Sequence, residues 1–581
     1  MNMEYEKEIR KILEDCGIEV RRIEIPPDPK LGDFSFPCFE LAKKFKKEPQ
    51  EVAKEICKKI KLNKKFLKVE ANSGYVNFFL NWNEISKEVL SDVQKIKVNV
   101  GNGSKVMVEY VSANPIHPLH VGSLRNALIG SSLVKILEKT NHKVISHFYV
   151  NDMGLQVAKL VYGFLNFPEK KLEEKADHWL GKIYAITDRF IENDKEVLKE
   201  LKNKWPDVFE KLIRNLEKKE DIKGDLKDLI KRCESGDLKT VKKFKRIAKI
   251  CIRGFKKTLN EIGIKFDSFD FESDFVIDGS VHRVVEKLKE KGMLKRSEEN
   301  TLVLDLGKFN LPSLVLVRSD GTTLYVTRDI AYSIWKFEKF GVEKVINIIG
   351  IEQSLAQSQL RAALKLLGYE KESENLIHLA YNHVRLPGIK MSGRRGRYLT
   401  IDELIEISFK KALSEVEKRG TSEKNKYKIA REIAIGAIKY AILKVEPEKE
   451  ITFDIEKAIR FEGDTGPYIQ YAYTRCSSIM RKARKIEGIE VKNITENEKE
   501  LIKKISEFPK VLENASRELR PHYICNYAYE LATRFDRFYE FCPVLKAENE
   551  IRNFRLALVD LTRKILKNCL ELLGIKPLEK M

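Results

Sequence analysis

The chain has 581 residues, a formal net charge of +21 and 43% hydrophobic residues, so it is long and apolar enough for several domains. No stretch approaches the roughly 18 uninterrupted apolar residues of a membrane span, and the charged first residues lack the apolar core of a signal peptide, so we expect a soluble, cytoplasmic protein. Nine scattered cysteines without a C-x-x-C pair argue against a zinc ribbon or a disulfide framework, and the positive charge favours nucleic acid as a partner.

Residues 1–103 are predicted to form an α+β domain of their own. Helical patterns cover Tyr5–Cys16 and Gln50–Ile60, and a further helix follows the turn at Gly32–Pro37. The apolar run Gly74–Leu80 predicts a strand. Gly101–Ser104 is typical of a flexible joint and marks the end of this domain.

The stretch Lys105–Asn151 predicts a strand, a tight loop, a helix and a second strand. Parallel strands need a crossover of this kind, and phosphates favour the free N–H groups at a helix N-terminus. The turn is therefore suited to bind a phosphate, with a histidine that merely caps the turn as the alternative. The residues of interest at this turn are His117, His120, Gly122 and Ser123.

A charged helical segment over residues 159–262 is predicted to interrupt the sheet as an insertion. It contains basic runs such as Lys242–Arg246, and we expect most of its charges to face solvent.

The sheet is predicted to resume after the insertion. Strands over Ser313–Val317 and Thr323–Val326 are expected to form a hairpin across Asp320-Gly321, followed by a helix that Thr327 begins. Lys344–Gly350 is nearly continuously apolar, as in a strand that is buried on both faces. Alternating strands and helices over residues 104–445 imply an α/β fold with a doubly wound parallel sheet, whose ligand lies where its two halves meet.

A basic, glycine-containing segment follows a further predicted strand, Ile377–Tyr381. The sequence LPGIKMSGRRGR, from Leu386 to Arg397, predicts a mobile loop suited to close on a triphosphate. A solvated basic loop is the alternative interpretation.

Residues 446–581 are predicted to be entirely helical. Helical patterns cover residues 497–515, 522–540 and 551–573, and Thr465-Gly466-Pro467 begins a further helix. Aromatic residues at this spacing favour core packing, with base stacking by one or two of them as the alternative. They are Tyr523, Tyr527, Tyr529, Phe535, Phe538 and Tyr539.

Two of these segments together resemble the signatures of class I aminoacyl-tRNA synthetases. SANPIHPLHVGS resembles the HIGH region, with Ser123 in the last position, and KMSGR resembles the KMSKS loop, with Gly393 for its second lysine and Arg394 for its final serine. The words VEYVSANP, FYVNDMGLQ and YVTRD are similar to those of arginyl-tRNA synthetases. LGDFSFPCFELAK and FEGDTGPYIQYA are similar to the same family's N-terminal extension and the entry to its anticodon-binding domain, so the resemblance covers nearly the whole chain.

The resemblance implies an arginine–tRNA ligase with a Rossmann-like parallel-sheet catalytic domain at 104–445. The carboxylate of L-arginine would attack the α-phosphate of ATP, and the arginyl group would then pass to the 3′ end of tRNA(Arg). Mg²⁺ is expected to accompany ATP without a cage of protein ligands. The family's architecture implies a tRNA-elbow-binding domain at 1–103 and an α-helical anticodon-binding domain at 446–581. We expect a monomer.

The resemblance also implies roles for individual residues. The catalytic and ATP-binding residues would be His117, His120, Gly122, Ser123, Lys390, Met391, Ser392 and Arg394. The arginine-binding residues would be Glu109, Ser112, Ala113, Asn114, Ser123, Tyr325, Asp329 and Gln353. Among these, Asp329 would face the guanidinium group and Tyr325 would pack beside it. Because Ser123 cannot carry a positive charge, we expect His117 to supply the missing imidazole.

Two alternatives remain on sequence grounds. Another class I synthetase, such as a cysteinyl or glutamyl enzyme, is disfavoured by the missing zinc cysteines and by the YVTRD word. A catalytically inactive RNA-binding paralogue stays open because Ser123 and Gly393 depart from the signatures. The resemblance further raises the question whether activation needs tRNA, which no residue pattern answers.

Overall fold

The computed structural model describes residues 2–92, 97–169, 174–387, 399–418, 423–483, 489, 491 and 494–581. Its first region is an antiparallel sheet in the order β1-β3-β2, packed against helices. Alternate residues of the central strand, Val76, Phe78 and Leu80, are buried, as one apolar face of a sheet requires. The elements are α1 (Asn2–Asp15), β1 (Phe34–Pro37), α2 (Phe39–Phe45), α3 (Pro49–Lys59), β2 (Phe66–Asn72), β3 (Tyr75–Leu80) and α4 (Trp82–Asp92).

The next segment begins the central sheet and continues into the insertion. The predicted strands and the helix between them are confirmed as β4 (Lys105–Glu109), α5 (Val121–Lys139) and β5 (Lys143–Val150). Aspartates at the N-caps of three insertion helices accept backbone N–H groups, which fixes where those helices begin. The insertion consists of α6 (Leu155–Asn166), α7 (Ala176–Ile191), α8 (Lys195–Lys204), α9 (Pro206–Leu216), α10 (Ile222–Glu234) and α11 (Leu238–Glu261).

The predicted strand over Thr323–Val326 is wrong. The chain does turn at Asp320, where Thr322 donates to its carboxylate, but only an isolated bridge joins Val317 to Thr323. A helix begins at Tyr325 because the apolar residues that follow recur at helical spacing. The elements here are β6 (Ser268–Phe271), α12 (Glu272–Ile277), α13 (Ser280–Glu290), β7 (Leu294–Arg296), β8 (Leu302–Leu304), β9 (Leu314–Val317) and α14 (Tyr325–Phe340).

The central sheet is parallel throughout and doubly wound, as predicted. After β10 (Lys344–Gly350), α15 (Ser354–Leu367), α16 (Glu370–Asn375) and β11 (Leu376–Tyr381), the strand order is β11-β10-β4-β5-β6. The chain runs from β4 towards one edge and from β10 towards the other, so the sheet's direction of winding switches between these two strands. A crevice opens at the carboxyl ends of strands at such a point.

The last region is helical, as predicted, except for a short strand at Ile451–Thr452 that the sequence analysis did not predict. Tyr527, Phe535 and Phe538 lie in its core, while Tyr539 is exposed. None of the described helices is long and apolar enough to cross a membrane. The elements are β12 (Val384–Arg385), α17 (Ile401–Lys418), α18 (Glu423–Leu443), β13 (Ile451–Thr452), α19 (Ile455–Ala458), α20 (Gly466–Lys482), α21 (Glu496–Arg517), α22 (Pro521–Phe541) and α23 (Asn549–Leu572).

Candidate active site

A crevice of about 1280 Å³ lies at the switch point between β4 and β10. Its wall combines residues that follow these strands with the first turns of α14. Six of the predicted arginine-binding residues line it, although they are spread over more than two hundred positions of sequence. They are Glu109, Ser112, Asn114, Tyr325, Asp329 and Gln353. The predicted residues Ala113 and Ser123 are not part of this wall.

Asp329 is an acid without a cationic partner among the described residues. It is half-buried in the crevice wall, one turn into α14. Burial, together with the negative charges of Glu272 and Glu109, raises the pKa of its carboxyl group to about 7. A cationic ligand in the crevice would lower the pKa of Asp329 again, because an opposite charge favours the ionised carboxylate.

Glu109, the second predicted acid, already has a cation. The buried Lys336 Nζ lies 2.7 Å from its Oε2 and also donates to Asn347 Oδ1 at 3.0 Å. Glu272, a third acid of the crevice, forms a buried ion pair with Arg328. The acids of the crevice therefore differ sharply in their freedom to accept a ligand.

The loop after β4 is held in a strained conformation. Val111 and Ser112 have backbone φ angles of 67° and 39°, which residues other than glycine rarely adopt. Asn126 stabilises the loop by accepting from the Val111 N–H at 2.7 Å, and it donates to the Ile348 carbonyl of β10 at 2.8 Å. Strained backbone of this kind is typical of sites that position a ligand.

Polar groups of the same loop face the crevice. Ser112 Oγ accepts from the Tyr149 N–H at 3.2 Å. Asn114 Nδ2 donates to Gln156 Oε1 at 2.9 Å, so two exposed amides lie together at the crevice rim. Ala113 lies between Ser112 and Asn114 in the chain.

The predicted phosphate-binding turn forms the N-terminus of α5. His120 is the N-cap residue, and its Nδ1 accepts from the Gly122 N–H at 3.0 Å. Burial lowers the pKa of His120 to about 4, so its ring is neutral near pH 7 and carries its proton on Nε2. That Nε2–H is the donor suited to a phosphate oxygen. A Cβ at position 122 would lie 2.7 Å from the His120 ring, which explains the glycine.

His117 lies beside His120, with their ring centroids 5.6 Å apart. Its Nδ1 lies 3.0 Å from the Pro118 carbonyl, and burial lowers its pKa. The structure therefore brings two neutral imidazoles to one helix N-terminus. The residues that line the crevice at the switch point do not include His117, His120, Gly122 or Ser123.

The predicted catalytic loop lies mostly outside the described residues. This applies to Lys390, Met391, Ser392 and Arg394. The segment after the loop is anchored to the turn that contains the two histidines. Thr400 forms an isolated antiparallel β-bridge with His120, and the Val121 N–H donates to the Leu399 carbonyl at 3.2 Å. The loop is thus attached beside the predicted phosphate site.

Sequence reasoning missed the polar cluster beneath the crevice. Its members are Lys336, Asn347, Tyr149 and Tyr332, of which the two tyrosine rings stack at 3.9 Å. A signal existed in Asn347, a single amide within an otherwise apolar buried strand. A buried polar group needs a partner, so this residue pointed to a cluster without revealing that Lys336 completes it.

Asp177, His178 and Asp402 form a group whose ligand atoms lie within 4.8 Å of one another. Lys175 Nζ contacts both carboxylates, at 3.3 Å from Asp177, and His178 Nε2 lies 2.7 Å from Asp402. The ammonium group occupies the position a metal ion would need, so this is an ion-pair cluster.

Three family models match the chain in succession. They are the arginyl tRNA synthetase N-terminal domain over residues 3–80, the catalytic domain of tRNA synthetases class I (R) over 84–455, and the DALR anticodon binding domain over 469–581.

Curated and solved proteins agree with these models. The arginine–tRNA ligase of Ignicoccus hospitalis is 38% identical and aligns over 99% of this chain and 98% of its own. That of Methanocaldococcus jannaschii is 38% identical over 95% and 94%. The structure of Thermus thermophilus arginyl-tRNA synthetase covers 100% of both chains with a TM-score of 0.77 and 28% identity.

Proposed function

The chain belongs to the arginyl-tRNA synthetase family, and we propose that it joins L-arginine to the 3′ end of tRNA(Arg) through an arginyl-adenylate made from ATP. The observation that carries this proposal is Asp329, a carboxylate without a cationic partner among the described residues in a crevice at the sheet's switch point. The arginine–tRNA ligases to which the chain is similar give no support to the inactive-paralogue alternative.

Recognition of arginine follows from the differences among the acids of the crevice. Asp329 would accept the planar guanidinium fork, since it lacks a cation of its own. Glu109 would act through Lys336 to hold the floor of the crevice in place. Tyr325, whose side chain is 54% exposed, would pack beside the guanidinium. The amides of Asn114 and Gln353, with Ser112 and Ala113 beside them, would hold the α-amino and carboxylate groups.

ATP would bind at the N-terminus of α5. The Nε2–H of His120 would donate to the phosphates, His117 would provide a second imidazole, and Gly122 and Ser123 would offer backbone N–H groups. The loop residues Lys390, Met391, Ser392 and Arg394 would complete the triphosphate site by their match to the KMSKS signature. The reaction needs little covalent catalysis, so positioning and charge stabilisation would supply most of the rate.

Mg²⁺ would reach this site on the phosphates of ATP. Among the described residues, the one group of His, Cys, Asp and Glu side chains spaced for a metal already holds the Lys175 ammonium. The donors at the α5 turn are imidazoles and N–H groups, which suit phosphate oxygens, whereas Mg²⁺ prefers oxygen ligands. The chain's residues therefore fit metal-bound ATP, in which Mg²⁺ would neutralise negative charge on the phosphates.

The flanking regions would hold tRNA(Arg). Residues 446–581 would meet its anticodon, as the match to an anticodon binding domain suggests. Residues 1–103 would meet its elbow, as the resemblance of their sequence implies. We propose a cytoplasmic monomer.

Competition between arginine and citrulline tests the function most sharply. Citrulline has nearly the same shape but a neutral head group, so it leaves Asp329 without a cation. A site built on this polar pairing rejects such an analogue by roughly 10⁴–10⁵-fold. Charging of tRNA(Arg) with labelled arginine and not with citrulline is expected, and equal charging of both would contradict the proposal.

A further inference from the structure

Helix α5 holds the chain on both sides of the predicted catalytic loop. The segment after the loop is anchored to the turn that contains the two histidines, at the N-terminus of this helix. The segment before the loop is held about one turn further along, where Arg125 donates to the carbonyls of Asn382 and His383 at 2.7 and 3.5 Å. Helix α5 therefore fixes both the place where the chain leaves for the loop and the place where it returns.

The guanidinium group of Arg125 joins a third segment to this junction. Its second terminal nitrogen donates to the Glu446 carbonyl at 2.8 Å, shortly after α18. Main-chain bonds tie the same segments together, because the Asn382 N–H donates to the Pro447 carbonyl at 2.9 Å and β12 pairs with β13. A planar guanidinium can hold two segments at once through its two terminal nitrogens, whereas lysine has a single nitrogen to offer.

The burial of Arg125 is costly for the fold. Its side chain is fully buried, and it forms no ion pair with any of the described residues. Glu448, an acid close enough to act on its charge, pairs with Arg520 instead. Its Nε is also buried and has no hydrogen-bond partner in the part of the chain that the structure describes. Stability alone would be served as well by an apolar side chain of similar volume, so the guanidinium points to a role in the reaction.

We propose that Arg125 is a positioning residue for the activation of arginine, an inference that rests on the proposed function. It fixes the segment from which the chain continues to Lys390 against the helix whose N-terminus carries His120. Both side chains would act on one triphosphate, and a displacement of about 1 Å between such groups can cost about 10²-fold in rate. Because Arg125 is fully buried, it acts through the segments that it holds and not by contact with substrate.

The test begins with two changes at this position. Arg125→Lys keeps the charge and loses the fork, and Arg125→Met removes the charge as well. Arg361→Lys is the matched control, because the Arg361 Nε donates to the Ser373 carbonyl at 3.1 Å and takes no part in the α5 junction. Pyrophosphate exchange in the presence of tRNA(Arg) gives kcat and the KM for ATP, and calorimetric titration gives the affinity for arginine.

Both changes at Arg125 are expected to lower kcat about 10²-fold and to raise the KM for ATP several-fold. The affinity for arginine and the control variant are expected to stay near wild type, since the crevice around Asp329 is untouched. Asn382→Ala covers the case in which the Arg125 variants do not fold. It removes a side-chain bond from the same segment to the Glu448 carbonyl at 3.3 Å, and the same split is expected at about tenfold in kcat.

A double-mutant cycle with Lys390→Ala separates positioning from a general loss of stability. Arg125→Lys is expected to add little to the loss that Lys390→Ala already causes, since the effects of groups that act as a unit are not additive. Fully multiplicative losses, wild-type exchange in Arg125→Lys, or an equal loss of affinity for arginine and ATP would overturn the positioning role alone. A wild-type chain that exchanges no pyrophosphate with arginine and tRNA(Arg) present would overturn the proposed function as well.

Discussion

At the scale of single residues, the acids of the crevice show how environment assigns roles to identical groups. Glu109 is neutralised by Lys336 and Glu272 by Arg328, so both belong to the protein's own ion pairs. Asp329 has no such partner among the described residues, and burial raises its pKa to about 7. Its charge is therefore costly in the free protein and becomes favourable when a guanidinium arrives.

Replacement of Asp329 tests this directly. Asp329→Ala is expected to raise the arginine KM at least 10²-fold, since a buried charge-assisted pair is lost, while the KM for ATP stays near wild type. Steady-state charging kinetics measure both constants. An unchanged arginine KM would contradict the assignment.

The raised pKa of Asp329 also predicts a pH dependence of arginine binding. Arginine requires the ionised carboxylate, so its affinity should fall about tenfold for each pH unit below 7 and level off above it. The Asp329→Asn variant removes this dependence and, because it removes an unfavourable charge, is expected to melt at a higher temperature than wild type at pH 8. Calorimetric titration of arginine between pH 5.5 and 8.5 is the measurement, and a flat wild-type profile would refute the role of the carboxylate.

The two histidines of the α5 turn are predicted to act on the rate of activation. Loss of one phosphate donor in His117→Ala or His120→Ala should slow pyrophosphate exchange by about 10²–10³-fold with little change in the arginine KM. His120→Asn keeps a capping side chain and so separates the helix cap from the phosphate contact. Exchange at the wild-type rate in His117→Ala would show that this imidazole does not replace the one missing at Ser123.

Sequence could predict part of the site and not the rest. The signatures identified the turn at His117–Ser123 and, by resemblance, Asp329. Lys336 could not be found in this way, because a lysine within a helix ordinarily faces solvent and only the folded chain shows that it meets Glu109 and Asn347. Burial of a polar group is decided by tertiary contacts, which lie far apart in sequence.

At the scale of elements, the start of α17 connects the insertion to the segment that follows the predicted catalytic loop. Asp402 accepts from Lys175 and His178 at the start of α7, and from Thr258 Oγ1 of α11 at 2.9 Å. Burial alone would raise the pKa of the Asp402 carboxyl group. The donors His178 and Lys175 nevertheless hold this pKa well below its usual range. Thr400, just before this helix, bridges to His120.

Asp402→Ala is therefore expected to loosen the attachment of the loop. It leaves His178 without its acceptor and removes one of the two carboxylates that Lys175 contacts, which should cost about 1–3 kcal/mol of stability and raise the KM for ATP more than that for arginine. Glu415→Ala, on the same helix, serves as the control. Thermal unfolding and exchange kinetics that match wild type would show that the cluster does not support the loop.

The wrongly predicted strand over Thr323–Val326 shows the limit of local pattern. Thr323–Val326 has the β-propensity and the preceding Asp320-Gly321 turn of a hairpin strand, yet Tyr325 begins a helix. The helical periodicity of sixteen residues outweighs the β-propensity of the four residues Thr323–Val326, because the helix buries its apolar face against the sheet. Strands flanked by clear turns, such as Lys344–Gly350, were predictable since burial and propensity agree there.

At the scale of the whole molecule, the sequence predicted the order of regions and the parallel sheet, and the structure adds how they serve one reaction. The sheet's switch point brings Asp329 to the end of β4, and α5 places two neutral imidazoles at its N-terminus. Long-range placement of this kind follows from strand order, which local patterns do not determine.

Arginine-dependent exchange of pyrophosphate into ATP, with and without tRNA(Arg), tests the account most directly. It measures activation alone and requires the crevice, the α5 turn and the catalytic loop to work together. We predict exchange with arginine in the presence of tRNA(Arg), and none with citrulline or lysine. Absence of exchange with arginine under both conditions, or equal exchange with lysine, would contradict the assignment of this chain as an arginine–tRNA ligase.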